Sequence, residues 1–456
     1  MKDITKRISQ FVEQLQYDDL DEEVIEQVKL FILDYYAASL AGYRINTALN
    51  EKALCLMEEM GGSEQATVLF SKKKLPASNA AFLNAIYAHG ADMDDGNRKA
   101  AGHIGAHMMS AVFSVAQMQQ ATWGEVIVAI VAGYDVFNRV VGAAQPGLYN
   151  KGFHSTGVGG SIACAAACAK LMGLDSEGIY HAISLGAIQS SGLIIIDETG
   201  QGCKPINPAN GARTGVISAQ LAKMGLKSSQ NPLESQKGWY HGFADEIDEQ
   251  ILYDGMGKTY TICESYLKLY PSCRHTHCCI DGAISLRERL HKDGYTSADI
   301  ENICVSIYPS AIKSAGAIPY PGTGDEAKFS IHYCLAVALC KGEFGLDDLT
   351  VNRSSEIQET IAKIRLVPDT SMENRKEGIR GASLKVTTKQ GGVYRETVLI
   401  PKGEAKKPLD WKDVQNKLIC CAGALCRQEV LSKLVADIYT AKREDAFFVF
   451  DFGMEE

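Results

Sequence analysis

The first half of the chain carries apolar residues at the spacing of helices that have one apolar face each. Three- and four-residue steps separate the apolar positions from Ile8 to Leu15 and again from Val24 to Tyr35, which is the repeat of a helix. A helix over residues 77–87 is expected after the C-cap signal at Gly61-Gly62, and segments dense in alanine and glycine predict helices over residues 106–121, 125–141, 157–172, 176–190 and 210–224. Because small residues let helices approach closely, this half is predicted to be a packed helical body with few strands.

The pattern of apolar residues changes near Tyr266. Residues 302–309 form a run typical of a strand, and two further runs are separated by a glycine-containing turn at residues 390–392, which indicates a hairpin. Helical spacing alternates with these strands over residues 281–292, 329–341 and 355–364. This alternation predicts an α+β unit. After Pro401 helical spacing returns, with Asp410 placed as an N-cap.

The predicted fold class is mainly α, with a smaller α+β domain inserted into a large helical domain. A chain of 456 residues exceeds the usual length of one domain. We assign residues 1–265 to the first part of the helical domain and residues 266–402 to an α+β lid domain. Residues 403–456 then complete the helical domain.

Composition and charge exclude several classes of protein. The net charge is −9, so no overall positive field draws the chain to nucleic acid or to an anionic membrane, and neither is an expected partner. We interpret the uncharged stretch at residues 100–124, which contains histidines and glutamines, as a buried helix and not a membrane span. The 14 cysteines, with no secretory signal before them, predict reduced thiols and a cytoplasmic location.

A cluster of carboxylates and histidines forms the first candidate site. Asp92, Asp94 and Asp95 lie within four positions, with His89 before them and His103 after them. Three such carboxylates repel one another unless a cation, hydrogen-bond donors or a proton shares the site, and this sharing is a way of raising one pKa for acid–base work. The alternative is a solvated helix end followed by a turn, with His89 in the core.

A second candidate lies at the start of a predicted helix, where His154, Ser155 and Thr156 stand among glycines. Free backbone N–H groups and the helix dipole favour an anion there, so a carboxylate is the expected ligand. The segment lacks the Gly-Lys-Ser/Thr ending of a nucleoside-triphosphate loop, and it follows no predicted strand, which argues against dinucleotide binding. The alternative is a simple Ser/Thr N-cap.

Cations for an acidic ligand could come from two later segments. Lys204 lies in a Gly- and Asn-rich turn before a helix, although a surface lysine is the commoner outcome. Arg274, His275 and His277 lie beside three cysteines, which allows the alternative of a metal-dependent hydrolase using Cys273 and the two histidines. A closed zinc site normally draws two separated ligand pairs, and no second pair is present. We therefore expect Arg274 and one histidine to face a cleft.

In their order along the chain, these motifs resemble the MmgE/PrpD family, which includes 2-methylcitrate dehydratase, cis-aconitate decarboxylase and iminodisuccinate epimerase. The motifs are His89-x-x-Asp92-x-Asp94-Asp95, Gly102-His103-x-Gly105, Gly152-Phe153-His154-Ser155-Thr156-Gly157, Lys204, Tyr270-Pro-Ser-Cys273-Arg274-His275-Thr276-His277 and Phe329-Ser330-x-x-Tyr333. The resemblance implies a helical domain with an α+β lid, a cleft between them and a homodimer. It also implies an enzyme without a metal or an organic cofactor.

The same resemblance assigns residue roles. The catalytic residues that it implies are Asp92, His103, His154, Lys204 and Tyr333. The substrate-binding residues that we expect are Asn97, Arg98, Ser155, Thr156, Arg274, His275 and His277. This chain departs from many relatives in having Asn97 and Asn207 where they have histidine, and Ile104 where they have proline.

The expected activity is proton transfer at a carbon next to a carboxylate of a small di- or tricarboxylate. Fixed cations would stabilise the enolate-like state, with His103 or His154 as base and Tyr333 or Lys204 as acid. Elimination of water, as in 2-methylcitrate dehydratase, is our first choice. Epimerisation and decarboxylation are the alternatives, and a non-catalytic carboxylate-binding protein is a further one.

Overall fold

A computed structural model describes residues 3–195, 202–374 and 377–453. Within these residues the protein is 57% helical, with 19 helices and only small sheets, so the predicted mainly α fold with a smaller α+β part is confirmed. The predicted domain boundaries are not tested by this description and stay predictions.

In the described part of the chain, twelve α-helices and one small hairpin precede residue 266. The helices are α1 (Ile4–Gln14), α2 (Glu22–Ile45), α3 (Thr47–Met60), α4 (Ala77–His89), α5 (Gly105–Gln119), α6 (Trp123–Ala143), α7 (Gly147–Asn150), α8 (Ser155–Leu171), α9 (Ser176–Ala187), α10 (Ile206–Lys223), α11 (Trp239–Phe243) and α12 (Glu249–Tyr253). The hairpin pairs β1 (Ala66–Thr67) with β2 (Lys74–Leu75). The predicted helices are therefore present, with ends that shift by no more than four residues.

The remaining elements alternate between helix and strand before the chain ends in helices. The helices are α13 (His277–Lys292), α14 (Pro309–Ala315), α15 (Gly324–Ala327), α16 (Ile331–Lys341), α17 (Ser355–Ala362), α18 (Trp411–Ala422) and α19 (Gln428–Thr440). The strands are β3 (Ile300–Ile307), β4 (Ile364–Pro368), β5 (Glu373–Asn374), β6 (Ile379–Arg380), β7 (Ala382–Thr388) and β8 (Val393–Val398). The side chain of Asp410 accepts a hydrogen bond from the Asp413 amide, which confirms the predicted N-cap of α18.

The α+β unit contains a four-stranded sheet in the order β4-β3-β7-β8. Strands β3 and β4 are parallel, and the other neighbours are antiparallel. The predicted hairpin is β7–β8, whose turn includes Gly391 at φ 85°, a backbone conformation that glycine adopts without strain. Inward residues alternate along β7, and α13 packs against β7 and β8.

Small residues bring the core helices of the helical body together. Helix α10 packs on α8, and a Cβ added to Gly211 would lie 3.2 Å from the Cα of Gly160. Helix α6 is long and apolar enough to cross a membrane by length and composition, but its apolar stretch is completely buried by the rest of the protein. Core packing accounts for its hydrophobicity, because neighbouring helices take the place of lipid. The starts of α5, α8 and α10 meet near the end of α4.

Helix α18, the second-last of the described helices, packs against α2 through a buried ion pair. Lys417 and Asp34 are both almost completely buried, and their charged atoms lie 2.6 Å apart. Burial raises the pKa of Asp34, and the Lys417 charge opposes that rise. The ammonium group of Lys417 also donates a hydrogen bond of 2.8 Å to the carbonyl of Met93.

Replacing only one partner of this pair leaves an uncompensated buried charge. We therefore expect Lys417→Met to lower the free energy of unfolding by about 3–5 kcal/mol, measured by urea denaturation followed by circular dichroism. The exposed Lys433→Met on α19 is the matched control and should change it by less than about 1 kcal/mol. Equal effects of the two substitutions would contradict this interpretation of Lys417.

Candidate active site

The candidate site is assembled from segments that lie just outside helix ends. Asp92 follows α4, His103 precedes α5, His154 precedes α8 and Lys204 precedes α10. Lys268, from the start of the predicted lid segment, joins them. The structure thus brings together four of the five predicted catalytic residues.

Asp92 is the centre of the site and is paired with two ammonium groups. Its Oδ1 lies 2.7 Å from Nζ of Lys204 and its Oδ2 lies 3.4 Å from Nζ of Lys268. Burial opposes ionisation of this carboxyl group, but the charges of Lys204 and Lys268 hold its pKa well below the usual value. Asp92 is therefore a carboxylate at neutral pH.

The backbone around Asp92 is held by three buried lysines from distant segments. Asp92 has φ 52°, in the left-handed region. The backbone at Asp92 therefore does not continue the helical hydrogen-bond pattern of α4. Lys268 donates to the carbonyl of Asp92 at 2.7 Å and Lys328 donates to the carbonyl of Gly90 at 3.0 Å. Lys417 donates to the carbonyl of Met93, so the segment 90–93 is fixed by side chains and not by a helix.

His89, the last residue of α4, is hydrogen-bonded to Asp94. Its Nδ1 is 2.7 Å from Oδ2 of Asp94, and burial together with the nearby Lys204 charge lowers the pKa of His89 well below its usual value. The ring is therefore neutral, and it donates from Nδ1 to the carboxylate. Within the described residues, Nε2 of His89 and Oδ1 of Asp94 are buried without a hydrogen-bond partner.

His103 is oriented by two hydrogen bonds, each between a backbone group and a side chain. Its amide donates to the Thr156 hydroxyl at 3.0 Å, and its Nδ1 lies 2.7 Å from the carbonyl of Asp95. A carbonyl oxygen only accepts, so Nδ1 carries the proton and Nε2 carries the lone pair. That Nε2 lies 3.9 Å from Oδ1 of Asp92. Burial lowers the pKa of His103 well below its usual value.

Asp95 is a structural carboxyl group behind the site. Its Oδ1 accepts from the Gly105 amide at 2.6 Å and its Oδ2 accepts from the Tyr134 hydroxyl at 2.8 Å. Burial and the neighbouring Asp94 charge raise the pKa of Asp95 to about 7. The three adjacent aspartates are thus stabilised in three ways, by ammonium groups, by an imidazole and by neutral donors.

The raised pKa of Asp95 predicts a pH dependence of stability. Between about pH 4 and pH 7 the folded protein binds this proton and the unfolded chain does not, so the free energy of unfolding falls as pH rises. A difference of one bound proton changes the free energy of unfolding by at most about 1.4 kcal/mol per pH unit. Asp95→Asn, which retains the shape without the charge, should flatten this slope in urea unfolding measured from pH 4 to pH 8. Exposed Asp245→Asn is the control, and identical slopes for native protein and Asp95→Asn would contradict the prediction.

His154 is the N-cap residue of α8 and is almost completely buried. Its amide donates to the carbonyl of Gly192, and its Nδ1 lies 3.0 Å from Nδ2 of Asn207. Burial and then the Lys204 charge lower the pKa of His154 well below its usual value. The hydroxyl of neighbouring Ser155 accepts from Gln145 at 2.8 Å.

The predicted substrate-binding arginines share one carboxylate. Arg98 and Arg274 both donate to Oε1 of Glu404, at 2.7 and 2.8 Å from their Nη2 atoms, and both guanidinium groups lie over the ring of Tyr266. The two arginines hold the pKa of Glu404 below its usual value against the effect of burial. Asn97, in the same loop as Arg98, is buried and its Oδ1 caps the amides of residues 99 and 100.

The two histidines after Arg274 also have protein partners. Nδ1 of His275 lies 2.5 Å from the hydroxyl of Tyr308. His277 accepts from Arg274 at Nδ1 and donates from Nε2 to the carbonyl of Ser272. Both ring nitrogens of His277 are therefore engaged, and in the part of the chain that the structure describes these histidines do not form a metal-ligand set with Cys273.

Tyr333 is buried at the start of α16 and is bonded within the α+β unit. Its hydroxyl donates to the carbonyl of Asp348 at 2.7 Å and accepts from the amide of Asn352 at 2.8 Å. Burial raises the pKa of Tyr333 to about 12. Both partners of the hydroxyl belong to the α+β unit, and an acid role for Tyr333 stays a prediction.

One group of ligand-type side chains in the described residues has metal-like spacing. His89, Asp92, Asp94 and His103 each offer an atom within 4.8 Å of the others. Two ammonium groups already neutralise Asp92, however, and a divalent cation there would be repelled by both of them. The side chains fit a site for an anionic organic molecule better than a site for a metal ion.

Sequence reasoning missed Lys268, Lys328 and Tyr134. Lys268 lies in the run Tyr-Leu-Lys-Leu-Tyr, and a single charged residue within an apolar run was the available signal, because such a residue is rarely buried without a partner. Its side chain is completely buried. Tyr134 lies inside the apolar helix α6 and carried no comparable signal.

The helical body and the α+β unit both contribute buried charged side chains to the site around Asp92. Residues 6–250 match the MmgE/PrpD N-terminal domain and residues 270–438 match the MmgE/PrpD C-terminal domain. The chain belongs to the MmgE/PrpD family, which confirms the resemblance seen in the order of its motifs.

Several relatives match this chain over nearly their whole length. The cis-aconitate decarboxylase-like protein oryM of Aspergillus oryzae is 24% identical over 455 residues, which cover 94% of this chain and 93% of that protein. The cis-aconitate decarboxylase of Aspergillus terreus is 25% identical over 448 residues, covering 92% of this chain and 90% of the relative. The cis-aconitate decarboxylase of Homo sapiens is 24% identical over 452 residues, which cover 95% of this chain and 91% of the relative.

Proposed function

We propose that this protein is a carboxy-lyase that removes carbon dioxide from a small unsaturated di- or tricarboxylate of the cis-aconitate class, without a metal or an organic cofactor. The observation that carries the proposal is the pair of ammonium groups, Lys204 and Lys268, on the two oxygens of Asp92. The similarity to cis-aconitate decarboxylases supports decarboxylation over the elimination of water that was our first choice.

The chemistry of such a substrate explains why cations are needed. When the bond to a carboxylate breaks, carbon dioxide leaves and an electron pair remains on carbon. In cis-aconitate this pair moves through the double bond, and negative charge develops at a carbon next to a second carboxylate. Preformed positive groups in a site with little water stabilise that charge strongly. Lys204 and Lys268 provide the positive groups in this proposal.

The reaction then consumes one proton, which Lys204 delivers to the carbon. Its side chain is 12% exposed whereas that of Lys268 is completely buried, so Lys204 is the ammonium group that solvent can protonate again. In total, the C–C bond to one substrate carboxylate breaks and one C–H bond forms. The substrate and one proton are consumed, and carbon dioxide and the product are released. His154 stabilises the anionic state by hydrogen bonding.

Elimination of water is the second candidate, and His103 favours it. Its Nε2 carries a lone pair 3.9 Å from Asp92, so the ring accepts a proton and the carboxylate stabilises the resulting imidazolium. Removal of a proton next to a carboxylate requires such a base, whereas decarboxylation does not. Epimerisation would use the same base.

Incubation in deuterium oxide followed by proton NMR, with detection of carbon dioxide, tests the proposal. The substrates are cis-aconitate, citrate, 2-methylcitrate and shorter unsaturated and hydroxylated dicarboxylates. We expect carbon dioxide and a product with one deuterium on a carbon next to a carboxylate. New olefinic signals without carbon dioxide would establish a hydro-lyase instead. Deuterium exchange without conversion would indicate an epimerase, and saturable binding without turnover a non-catalytic protein.

We further propose that the enzyme is a cytoplasmic homodimer, as the family resemblance and the reduced cysteines imply. Light scattering after size exclusion should give twice the chain mass of 49.5 kDa. A monomer mass across micromolar concentrations would overturn the dimer.

A further inference from the structure

We propose that Asn207 is a positioning residue that holds His154 in the tautomer with its proton on Nε2, so that His154 donates a hydrogen bond to the substrate and does not act as a base. The inference rests on the proposed function for the identity of the substrate. The tautomer itself follows from contacts within the protein.

The orientation of the Asn207 amide is fixed by its second partner. Nδ2 of Asn207 lies 3.0 Å from the carbonyl oxygen of Leu193 and 3.0 Å from Nδ1 of His154. A carbonyl oxygen accepts only, so the NH₂ group and not the amide oxygen faces Leu193. The other N–H of the same group points at His154, which must therefore accept at Nδ1. A neutral ring then has its proton on Nε2.

Close packing holds both side chains in this arrangement. A Cβ added to Gly157 would lie 3.1 Å from Cβ of Asn207, and one added to Gly192 would lie 3.3 Å from Cγ of Asn207. The backbone amide of His154 donates to the carbonyl of Gly192 at 3.0 Å. The segment at Gly192 and Leu193 thus contacts both His154 and Asn207.

The neighbouring histidines have the opposite tautomer. Nδ1 of His103 faces the carbonyl of Asp95, and Nδ1 of His89 faces the carboxylate of Asp94. Both rings therefore carry a lone pair on Nε2, and among these three rings only His154 presents an N–H from that position. Nε2 of His154 has no hydrogen-bond partner among the described residues, so its proton is available to a ligand.

This division assigns the proton-transfer roles that the sequence left open. Of His103 and His154, His103 is the ring that can accept a proton, and its imidazolium would lie beside Asp92. His154 is a neutral donor that polarises a substrate carboxylate as negative charge develops on it, a role that requires the imidazole and not the imidazolium.

The first test is the tautomer of His154 in the full-length protein. Histidine labelled with ¹⁵N should give a protonated-type signal at Nε2 and an unprotonated-type signal at Nδ1 near pH 7, assigned by their absence in His154→Gln. A proton on Nδ1, or a charged ring at that pH, would overturn the proposal. Because no substrate is used, the result does not depend on whether the proposed reaction is right.

The second test reverses the direction of the hydrogen bond between residue 207 and Nδ1 of His154. Asn207→Asp replaces the donor by a carboxylate, which accepts and should draw the proton of His154 to Nδ1. We expect the ¹⁵N signals of the two ring nitrogens of His154 to exchange their types. We also expect kcat to fall by about 10²-fold with KM changed far less, because the residue that bonds to Nδ1 now favours the wrong tautomer of the ring. If this variant does not fold, Asn207→Ala is used, in which the ¹⁵N signals of His154 should become a mixture of tautomers. An unchanged ¹⁵N pattern in the folded variant would overturn the role of Asn207.

A pair of variants at His154 separates a donor from a base. His154→Gln retains an N–H donor, whereas His154→Leu retains none. We expect the glutamine variant to keep at least about tenfold more activity than the leucine variant. Equal losses in both folded variants would show that His154 acts as a base, and the proposal would be wrong. Absence of decarboxylation by the native protein, with the ¹⁵N result as expected, would overturn the proposed function alone.

Discussion

Lys204→Ala is expected to lower kcat/KM on the responsive substrate by about 10³–10⁴-fold. The substitution removes both a positive charge that stabilises the developing anion and the proton donor to carbon. Lys204→Arg should not restore the rate, because a planar guanidinium group places its charge differently and does not give up its proton. Steady-state kinetics over a range of substrate concentrations provide the measurement.

Lys223→Ala is the matched control for this experiment. Lys223 is the last residue of the helix that Lys204 precedes, and it bonds to Gln119 at the surface. Its substitution should leave kcat/KM within about twofold of the native value. If Lys204→Ala folds normally and retains more than a tenth of the native activity, Lys204 is not the proton donor.

Asp92→Asn is expected to lower kcat/KM by about 10²–10³-fold and to change its pH dependence. Asparagine tolerates the left-handed backbone of this position, so the substitution removes the charge while it keeps the shape. Burial already lowers the pKa of Lys268, and the charge of Asp92 opposes that effect. Without the charge, Lys268 should lose its proton at a lower pH, and the activity should therefore decline at a lower pH than in the native enzyme.

A pH–rate profile of kcat/KM measures this shift, with Asp347→Asn as control. Asp347 is exposed and pairs with Arg44 at the surface, so its substitution should leave the profile in place. A profile of Asp92→Asn that coincides with the native profile would show that the Lys268 charge does not depend on Asp92.

Local patterns were sufficient for the elements and for much of the site. The density of alanine and glycine predicted α5, α8 and α10, because small residues let helices pack closely, and nearly all residues of α5 and α8 are buried. The need of three adjacent carboxylates for a cation, a proton or donors was also predicted from spacing alone, and the structure contains all of these around Asp92, Asp94 and Asp95.

Contacts between distant residues could not be predicted in the same way. Lys268 and Asp92 are 176 positions apart, and nothing in either local sequence indicates the other. The pairing of Arg98 and Arg274 with Glu404 likewise depends on how three segments pack. An arginine that faces a cleft and an arginine that is bonded to a buried glutamate look the same in sequence, so the predicted carboxylate-binding role of Arg274 stays a prediction.

The three lysines that hold residues 90–93 have a consequence for how the enzyme becomes active during synthesis. The lysines at 268, 328 and 417 are separated from their carbonyl partners by 176, 238 and 324 residues. A ribosome-bound chain that has formed its first ten helices therefore still lacks the bonds that place Asp92. We therefore expect the carboxylate of Asp92 to reach its final position only when α18 docks, so that the proposed activity depends on the folding of nearly the whole polypeptide.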